Sequence, residues 1–252
     1  MKITVLTSNS LRHRYVANSL AEKADDVLIV SECKKSDVVD TTDKQLSPIE
    51  EHFKKRYETE QKFFPNSDYF SGKVLPLEYK EINLLSTFET IKEFQSDLLI
   101  AFGSAIIKEP LLTILKPGHF VNLHLGLSPY YRGSGTNFWP FVNEELEYVG
   151  STLLHLDAGI DTGDIISQVR PKIEIGDDVH SVGCKVIRDS VLEIHKIIEL
   201  VSDGRTLPRV KQWKVSDDKY YRSSDFNEDI LLRYKTNLKD GLVERYVKSE
   251  KK

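Results

Sequence analysis

Residues 1–30 read MKITVLTSNSLRHRYVANSLAEKADDVLIV. Ile3 to Leu6 are β-formers, bounded by Thr7-Ser8-Asn9-Ser10, which supply a turn or a helix cap. Leu11, Tyr15, Ala17, Leu20 and Ala21 follow near helical spacing. Val27 to Val30 form a second apolar run, short enough for a buried strand. A β-α-β unit completed this early is the opening of a parallel α/β sheet.

The pattern continues outward from there. Lys73 to Leu77 read as a strand whose Pro76 favours an edge. Leu84 to Phe94 repeat with helical period, and Asp97 to Gly103 form a buried strand. A short helix is expected at about Glu109–Leu115, then a strand over His119–His124. Tyr148–Asp157 and Asp164–Lys172 are expected to pair antiparallel across the loop Ala158–Gly163. A long amphipathic helix follows, with Asp177 or Asp178 capping its start and Gly204 its end.

The expected fold class is α/β and Rossmann-like, a mostly parallel twisted sheet with helices on both faces. Two departures stand out. Residues 33–70 are charged, and Ser47-Pro48-Ile49-Glu50 start a helix there by a capping signature. That helix has Ile49, Phe53 and Tyr57 at four-residue spacing and little else apolar, so it is expected to be an inserted, peripheral helix. Residues 206–252 are polar and aromatic and read as a small C-terminal extension to a catalytic domain over 1–205. Pro208 to Arg222 are expected to form a hairpin, Asp229 to Tyr234 a short helix, and Lys248 to Lys252 a frayed tail.

The chain has 252 residues, a formal net charge of −4, 40% hydrophobic and 29% charged residues. Burial at this size supports a core without disulfides. The mild acidity argues against a dedicated nucleic-acid binder. Cys33 and Cys184 are too few for a disulfide framework or a cysteine-only zinc site. No run approaches a membrane span, and the N-terminal apolar stretch is too short for a signal peptide. A cytoplasmic protein with no membrane or nucleic-acid partner is expected.

Polar residues crowd at two places, Asn122 to Gly135 and Asp157 to Asp164. Asn122 and His124 lie two apart on one strand, so their side chains share a face. Open α/β sheets place ligands at the carboxyl end of such strands. Asp161 sits in a loop tip between Gly159 and Gly163. An amide, an imidazole and a carboxylate suit acyl transfer to an amine: the first two stabilise an oxyanion, and the imidazole moves a proton. Each motif alone is as well explained structurally, an Asp between glycines above all. Arg132, in a glycine-rich loop, is either a surface arginine or an anion contact. His119, His124 and His155 fit no standard metal spacing, and no metal is expected.

Taken in order, Asn122-Leu123-His124, then Leu127-Ser128-Pro129-Tyr130-Tyr131-Arg132-Gly133, then Gly159-Ile160-Asp161-Thr162-Gly163-Asp164, resemble the folate-dependent formyltransferases. The resemblance is firm over about residues 97–170 and fades after about 205. It implies 10-formyltetrahydrofolate as co-substrate and Asn122, His124 and Asp161 as catalytic residues. It implies cofactor contacts at Phe102, Gly103, Ser104, Ala105, Ile106, Asp157 and Gly159. It also implies substrate contacts at Ser128, Tyr131 and Arg132; the Ser128-Pro129 bond is one that proline allows to be cis, and the sequence leaves cis or trans open.

The acceptor amine is narrowed by departures from the family. The first strand is followed by Thr7-Ser8-Asn9-Ser10, without the glycine-rich phosphate loop of glycinamide ribonucleotide transformylases. The residues after 205 are expected to be too few for the tRNA-gripping barrel of methionyl-tRNA formyltransferases. With a strand starting at residue 2, the N-terminal domain of the formyltetrahydrofolate hydrolases is expected to be absent. A nucleotide-linked amino sugar is the expected acceptor. Another amine, glycinamide ribonucleotide included, and a non-catalytic folate- or nucleotide-binding domain are the alternatives. Trp213, Tyr220 and Tyr221 either stack on a nucleobase, form a homodimer surface, or pack the extension onto the core. Phe138-Trp139-Pro140 either shape the acceptor pocket or are core.

Overall fold

A computed structural model of the chain describes residues 1–34, 45–217 and 219–250. Part of the expected 33–70 insert, residues 35–44, lies outside the described residues, as do Lys251 and Lys252 of the expected frayed tail.

In chain order the elements are β1 (Lys2–Ser8), α1 (Leu11–Ala21), β2 (Asp26–Cys33), α2 (Pro48–Phe63), β3 (Lys73–Glu78), α3 (Leu85–Phe94), β4 (Leu98–Ala101) and β5 (Phe120–His124). Then come β6 (Tyr131–Gly133), α4 (Trp139–Asn143), β7 (Ser151–His155), β8 (Ile165–Val169), α5 (Val179–Ser202), β9 (Lys219–Tyr221), α6 (Glu228–Lys239) and α7 (Leu242–Ser249). Seven strands form one sheet in the order β3-β2-β1-β4-β5-β7-β8. The first five run parallel, and β7 and β8 add antiparallel. Strand order reverses between β1 and β4, so the carboxyl ends of β1, β4 and β5 open onto the crevice where α/β sheets bind ligands.

Alternation along the strands builds the two faces. Ile3 and Val5 of β1 and Leu98 and Ile100 of β4 pack with α1 and α5. Leu6, Leu99 and Ala101 point to the opposite face and pack with Ile82 and Ile91. A third cluster joins Tyr131, Phe138, Trp139 and Phe141 to Val182 and Val186 of α5 and to Leu231, Tyr234, Leu242 and Val243. The residues after 205 therefore share a core with the body of the protein.

Four local expectations are corrected. The helix α2 is not peripheral: it packs on α1, α5 and α6, and Phe64 at its end is buried and stacked on Tyr15 with ring centroids 4.3 Å apart. Its start is as expected, with Ser47 and Glu50 exchanging hydrogen bonds of 2.7 and 3.3 Å. The helix expected at 109–115 is a single 3-10 turn, Leu111–Thr113, stopped ahead of Pro117-Gly118. Residues 208–222 form no hairpin. Val210 bridges to Ile165, and β9 pairs parallel with β6, so each half finds its partner elsewhere in the chain. The helix expected at 229–234 runs over Glu228–Lys239, started by Asn227, whose side chain accepts from the Ile230 amide at 3.0 Å.

Candidate active site

The strand β5 ends with Asn122 and His124 on one face, and the loop between β7 and β8 brings Asp161 against both. Asn122 Nδ2 donates to Asp161 Oδ1 at 3.1 Å, and His124 Nδ1 lies 3.3 Å from Asp161 Oδ2. His124 Nε2 is 3.0 Å from the Tyr131 carbonyl. A carbonyl only accepts, so Nε2 carries a hydrogen and the ring presents Nδ1 to the carboxylate. The His124 and Asp161 side chains are only 6% and 14% exposed, so their attraction is little screened by water.

The loop holding Asp161 is built from its own polar groups. The Asp157 carboxylate accepts from the Gly159 amide at 3.0 Å and from the Thr162 hydroxyl at 2.9 Å. Gly163 passes so close to β7 that a Cβ there would lie 1.7 Å from the His155 carbonyl oxygen. Asp161 itself sits at φ 53°, the left-handed region that non-glycine residues hold at a cost. Gln212, from beyond α5, donates to the carbonyls of Asp161 and Gly163.

Two cavities meet at this point. The smaller, about 200 Å³, lies between residues 101–107 and residues 154–163. Gly103, Ser104, Ala105, Ile106, Asp157 and Gly159 all line it. His155, another of its lining residues, keeps its buried Nδ1 without a hydrogen-bond partner among the described residues. Glu32, fully buried at the end of β2, fixes one side by accepting from the Ala105 amide at 2.6 Å and the Lys80 amide at 2.7 Å. The larger cavity, about 620 Å³, opens on the other side of Asn122 and Asp161, which with Gly103 and Ser104 line both.

The larger cavity has an aromatic and a charged side. Its aromatic side includes His52, Phe53, Phe138, Trp139 and Phe226. His52 and His180 have ring centroids 4.5 Å apart. Burial, with Arg56 nearby, holds His52 down to about 4, and burial beside His52 holds His180 down to about 3. Both are therefore neutral rings at neutral pH. On the charged side the buried Glu60 is ion-paired with Arg12 and lies 3.9 Å from Arg56, whose guanidinium stands 4.6 Å from the Phe53 ring centroid. Burial, with Glu60 adding to it, pushes the Cys184 thiol of the same wall up to about 12, so it is a protonated, inert group.

Of the other expected contacts, Ser128, Tyr131 and Arg132 line neither cavity, and Phe102 lines the larger one. Ser128 is fully buried beneath β7, its amide donating to Thr152 Oγ1 at 2.9 Å, and the Ser128-Pro129 bond is cis. Tyr131 is fully buried, its hydroxyl bonded to Glu145 and accepting from Asn143. Its burial and the Glu145 carboxylate raise its pKa. The side chain is closed off from both cavities, and the backbone carbonyl accepts from His124 Nε2. Arg132, half-buried on β6, lines neither cavity. Phe102 is 3% exposed and packs edge-on against His13, with centroids 4.7 Å apart.

Several site residues were missed. His52, Arg56 and Glu60 follow one another at four-residue intervals, a polar stripe along α2 that shared-face spacing could have revealed. Gln212 carries no such signal. Among the described residues no group of three or more His, Cys, Asp or Glu is placed to hold a metal ion. No described helix is long and apolar enough to cross a membrane.

Residues 1–190 match the family model described as formyl transferase. Methionyl-tRNA formyltransferase of Desulforamulus reducens is 34% identical over 149 residues, 56% of this chain and 46% of that protein. The bifunctional polymyxin resistance protein ArnA of Wigglesworthia glossinidia brevipalpis is 32% identical over 172 residues, 68% of this chain and 24% of that protein. The chain spans half or less of the length of these curated relatives. Among solved structures, the N-formyltransferase of Helicobacter canadensis in complex with folinic acid and dTDP-3-aminofucose superposes with a TM-score of 0.57. It is 22% identical, with 90% of this chain and 72% of that one covered. Glycinamide ribonucleotide transformylase 1 of Symbiobacterium toebii superposes with a TM-score of 0.58 at 17% identity, covering 85% and 94%.

Proposed function

The chain belongs to the formyl transferase family, and on that premise we propose that it transfers a formyl group from 10-formyltetrahydrofolate to a primary amine. The observation that carries this reading is the placement of Asn122 and Asp161 on the wall common to two cavities, with His124 against Asp161 on the larger one. Two substrates entering from opposite sides meet there.

The smaller cavity suits the pterin. It is a slot between two backbone stretches, and backbone N–H and C=O groups suit the donors and acceptors along a pterin edge. 10-Formyltetrahydrofolate supplies a formyl carbon bonded to N10. Asn122 Nδ2 has two hydrogens. One is given to Asp161, and the other serves the formyl oxygen as it gains negative charge. With its Nε2–H given to the Tyr131 carbonyl, His124 becomes an imidazolium when a proton sits on Nδ1, and in this reading that charge stabilises the oxyanion. Asp161 accepts the proton of the attacking amine, directly or through one water. The amine nitrogen bonds to the formyl carbon, the carbon–N10 bond breaks, and the amine's proton ends on N10.

The larger cavity supports a nucleotide-linked amino sugar as acceptor. Its 620 Å³ is in the ~300–1,000 Å³ range of small-molecule sites. Its rings offer stacking surface for a nucleobase, and Arg12, Arg56 and Arg222 offer positive charge for a diphosphate. The Helicobacter canadensis neighbour's complex with dTDP-3-aminofucose is in keeping with this. The sequence relatives favour a second reading, the amine of an aminoacyl-tRNA.

Release of tetrahydrofolate from 10-formyltetrahydrofolate tests both. The amines are a dTDP-3-amino sugar, a UDP-4-amino sugar, glycinamide ribonucleotide and methionyl-tRNA. Release is expected with a nucleotide amino sugar. Release with methionyl-tRNA alone establishes the second reading. Binding of 5-formyltetrahydrofolate without release for any amine makes the chain a folate-binding domain and overturns both.

A further inference from the structure

We propose that Gln212 is a positioning residue for this reaction: its amide holds the backbone of the loop that aims Asp161 at Asn122 and His124. The inference rests on the functional reading above, because it takes Asp161 to be the reacting carboxylate.

Gln212 Nε2 donates to the Asp161 carbonyl at 2.8 Å and the Gly163 carbonyl at 2.9 Å. Both partners only accept, so both amide hydrogens are committed and the amide has one orientation. The segment delivering it is fixed along its length. Leu207 is buried, and His155 Nε2 donates to the Pro208 carbonyl at 2.8 Å. Arg209 pairs with Asp164 at 3.2 Å. Val210 and Ile165 exchange backbone hydrogen bonds of 2.8 and 3.0 Å. Residues 207–212 thus form a strap across the start of β8, with Gln212 at the catalytic end.

The loop needs that hold at Asp161 in particular. Its internal bonds, from Asp157, end on Gly159 and Thr162, whereas the Gln212 bond ends on Asp161 itself. Asp161 is also at the left-handed φ of 53°. Its two carboxylate oxygens serve different partners, at 3.1 and 3.3 Å, so one small backbone shift loosens both contacts. A misplacement of ~1 Å at a reacting group costs on the order of 10²-fold in rate. The strap lies beyond the residues matched by the family model, 1–190.

Gln212→Leu removes the donors, and Gln212→Glu keeps the shape but turns acceptors toward two carbonyls. For both, kcat is expected to fall roughly 10- to 100-fold, with KM for 10-formyltetrahydrofolate and for the most active amine of the panel within about threefold. Amide exchange is expected to speed up over residues 157–164 and to stay unchanged in β1 and β4. In single-turnover runs, adding either substitution to Asp161→Asn is expected to slow transfer by less than about twofold further.

Wild-type kcat in both Gln212 variants, with Asp161→Asn impaired, overturns this inference and leaves the functional reading standing. Effects that multiply with Asp161→Asn also overturn it, since Gln212 then acts through something else. An Asp161→Asn enzyme of normal activity removes the catalytic role of Asp161, and this inference with it, while formyl transfer itself stands.

Discussion

Tyr221 lies flat on Trp139, with ring centroids 3.9 Å apart and planes within 8°. Trp139 lines the larger cavity and Tyr221 closes the parallel pair β6–β9, so Tyr221 backs a ring of the larger cavity's wall. Tyr221 also accepts a hydrogen bond from Asn143 at 2.9 Å. Tyr221→Ala is expected to cost ~2 kcal/mol in urea denaturation and to raise the acceptor KM several-fold. The folate-analogue affinity should stay within twofold, because the smaller cavity lies on the far side of Asn122. Equal weakening of both ligands would contradict this division.

His124→Ala and Asp161→Asn are expected to lower kcat by ~10²–10⁴-fold while the far-UV spectrum and 5-formyltetrahydrofolate binding persist. Asn122→Ala belongs with them, since it removes the donor to the oxyanion. A variant that turns over within threefold of wild type rules out that residue's role.

Gly163→Ala tests the fit of the loop against β7. The added Cβ would meet the His155 carbonyl oxygen at 1.7 Å, and a backbone atom cannot swing aside as a side chain does. A stability loss of at least ~2 kcal/mol is expected, with a fall in kcat as Asp161 moves. Thermal melts and steady-state rates on the same sample check both.

The His52–His180 pair predicts an acid limb of stability. In the unfolded chain both titrate near ~6.5. In the folded protein burial holds them at about 4 and about 3, so between these values the unfolded chain binds more protons. Their contribution is fully present above pH ~6.5 and is lost as pH falls toward the folded values, by up to ~1.4 kcal/mol per pH unit for each ring. Urea midpoints from pH 7 to 4.5 should fall, and His180→Phe should flatten the slope. An unchanged slope in that variant would count against the assignment.

Legibility in the sequence followed the kind of signal each element carries. The strand at 98–101 is a continuous apolar run, as a doubly covered sheet requires. Asn122, His124 and Asp161 were singled out by residue type, spacing and resemblance, and the structure brings the three side chains together. The helix α2 was misjudged because one face meets a cavity. His52, Arg56 and Glu60 look like a solvated stripe, although Glu60 is 4% exposed. The expected hairpin at 208–222 failed because two short segments pair with distant partners, Ile165 and residues 131–133. Gln212 was illegible for a simpler reason. It acts on two backbone carbonyls, and backbone partners leave no trace in residue identity.

The wall shared by the two cavities also bears on inhibition. Asn122 and Asp161 line both cavities, so molecules bound on their two sides come close to each other there. Tethering a pterin to an acceptor fragment makes the second contact intramolecular, with an effective concentration on the order of millimolar for a short linker. A series of such compounds graded by linker length would act as a ruler: the tightest member gives the separation at which the enzyme presents the two reactants to each other.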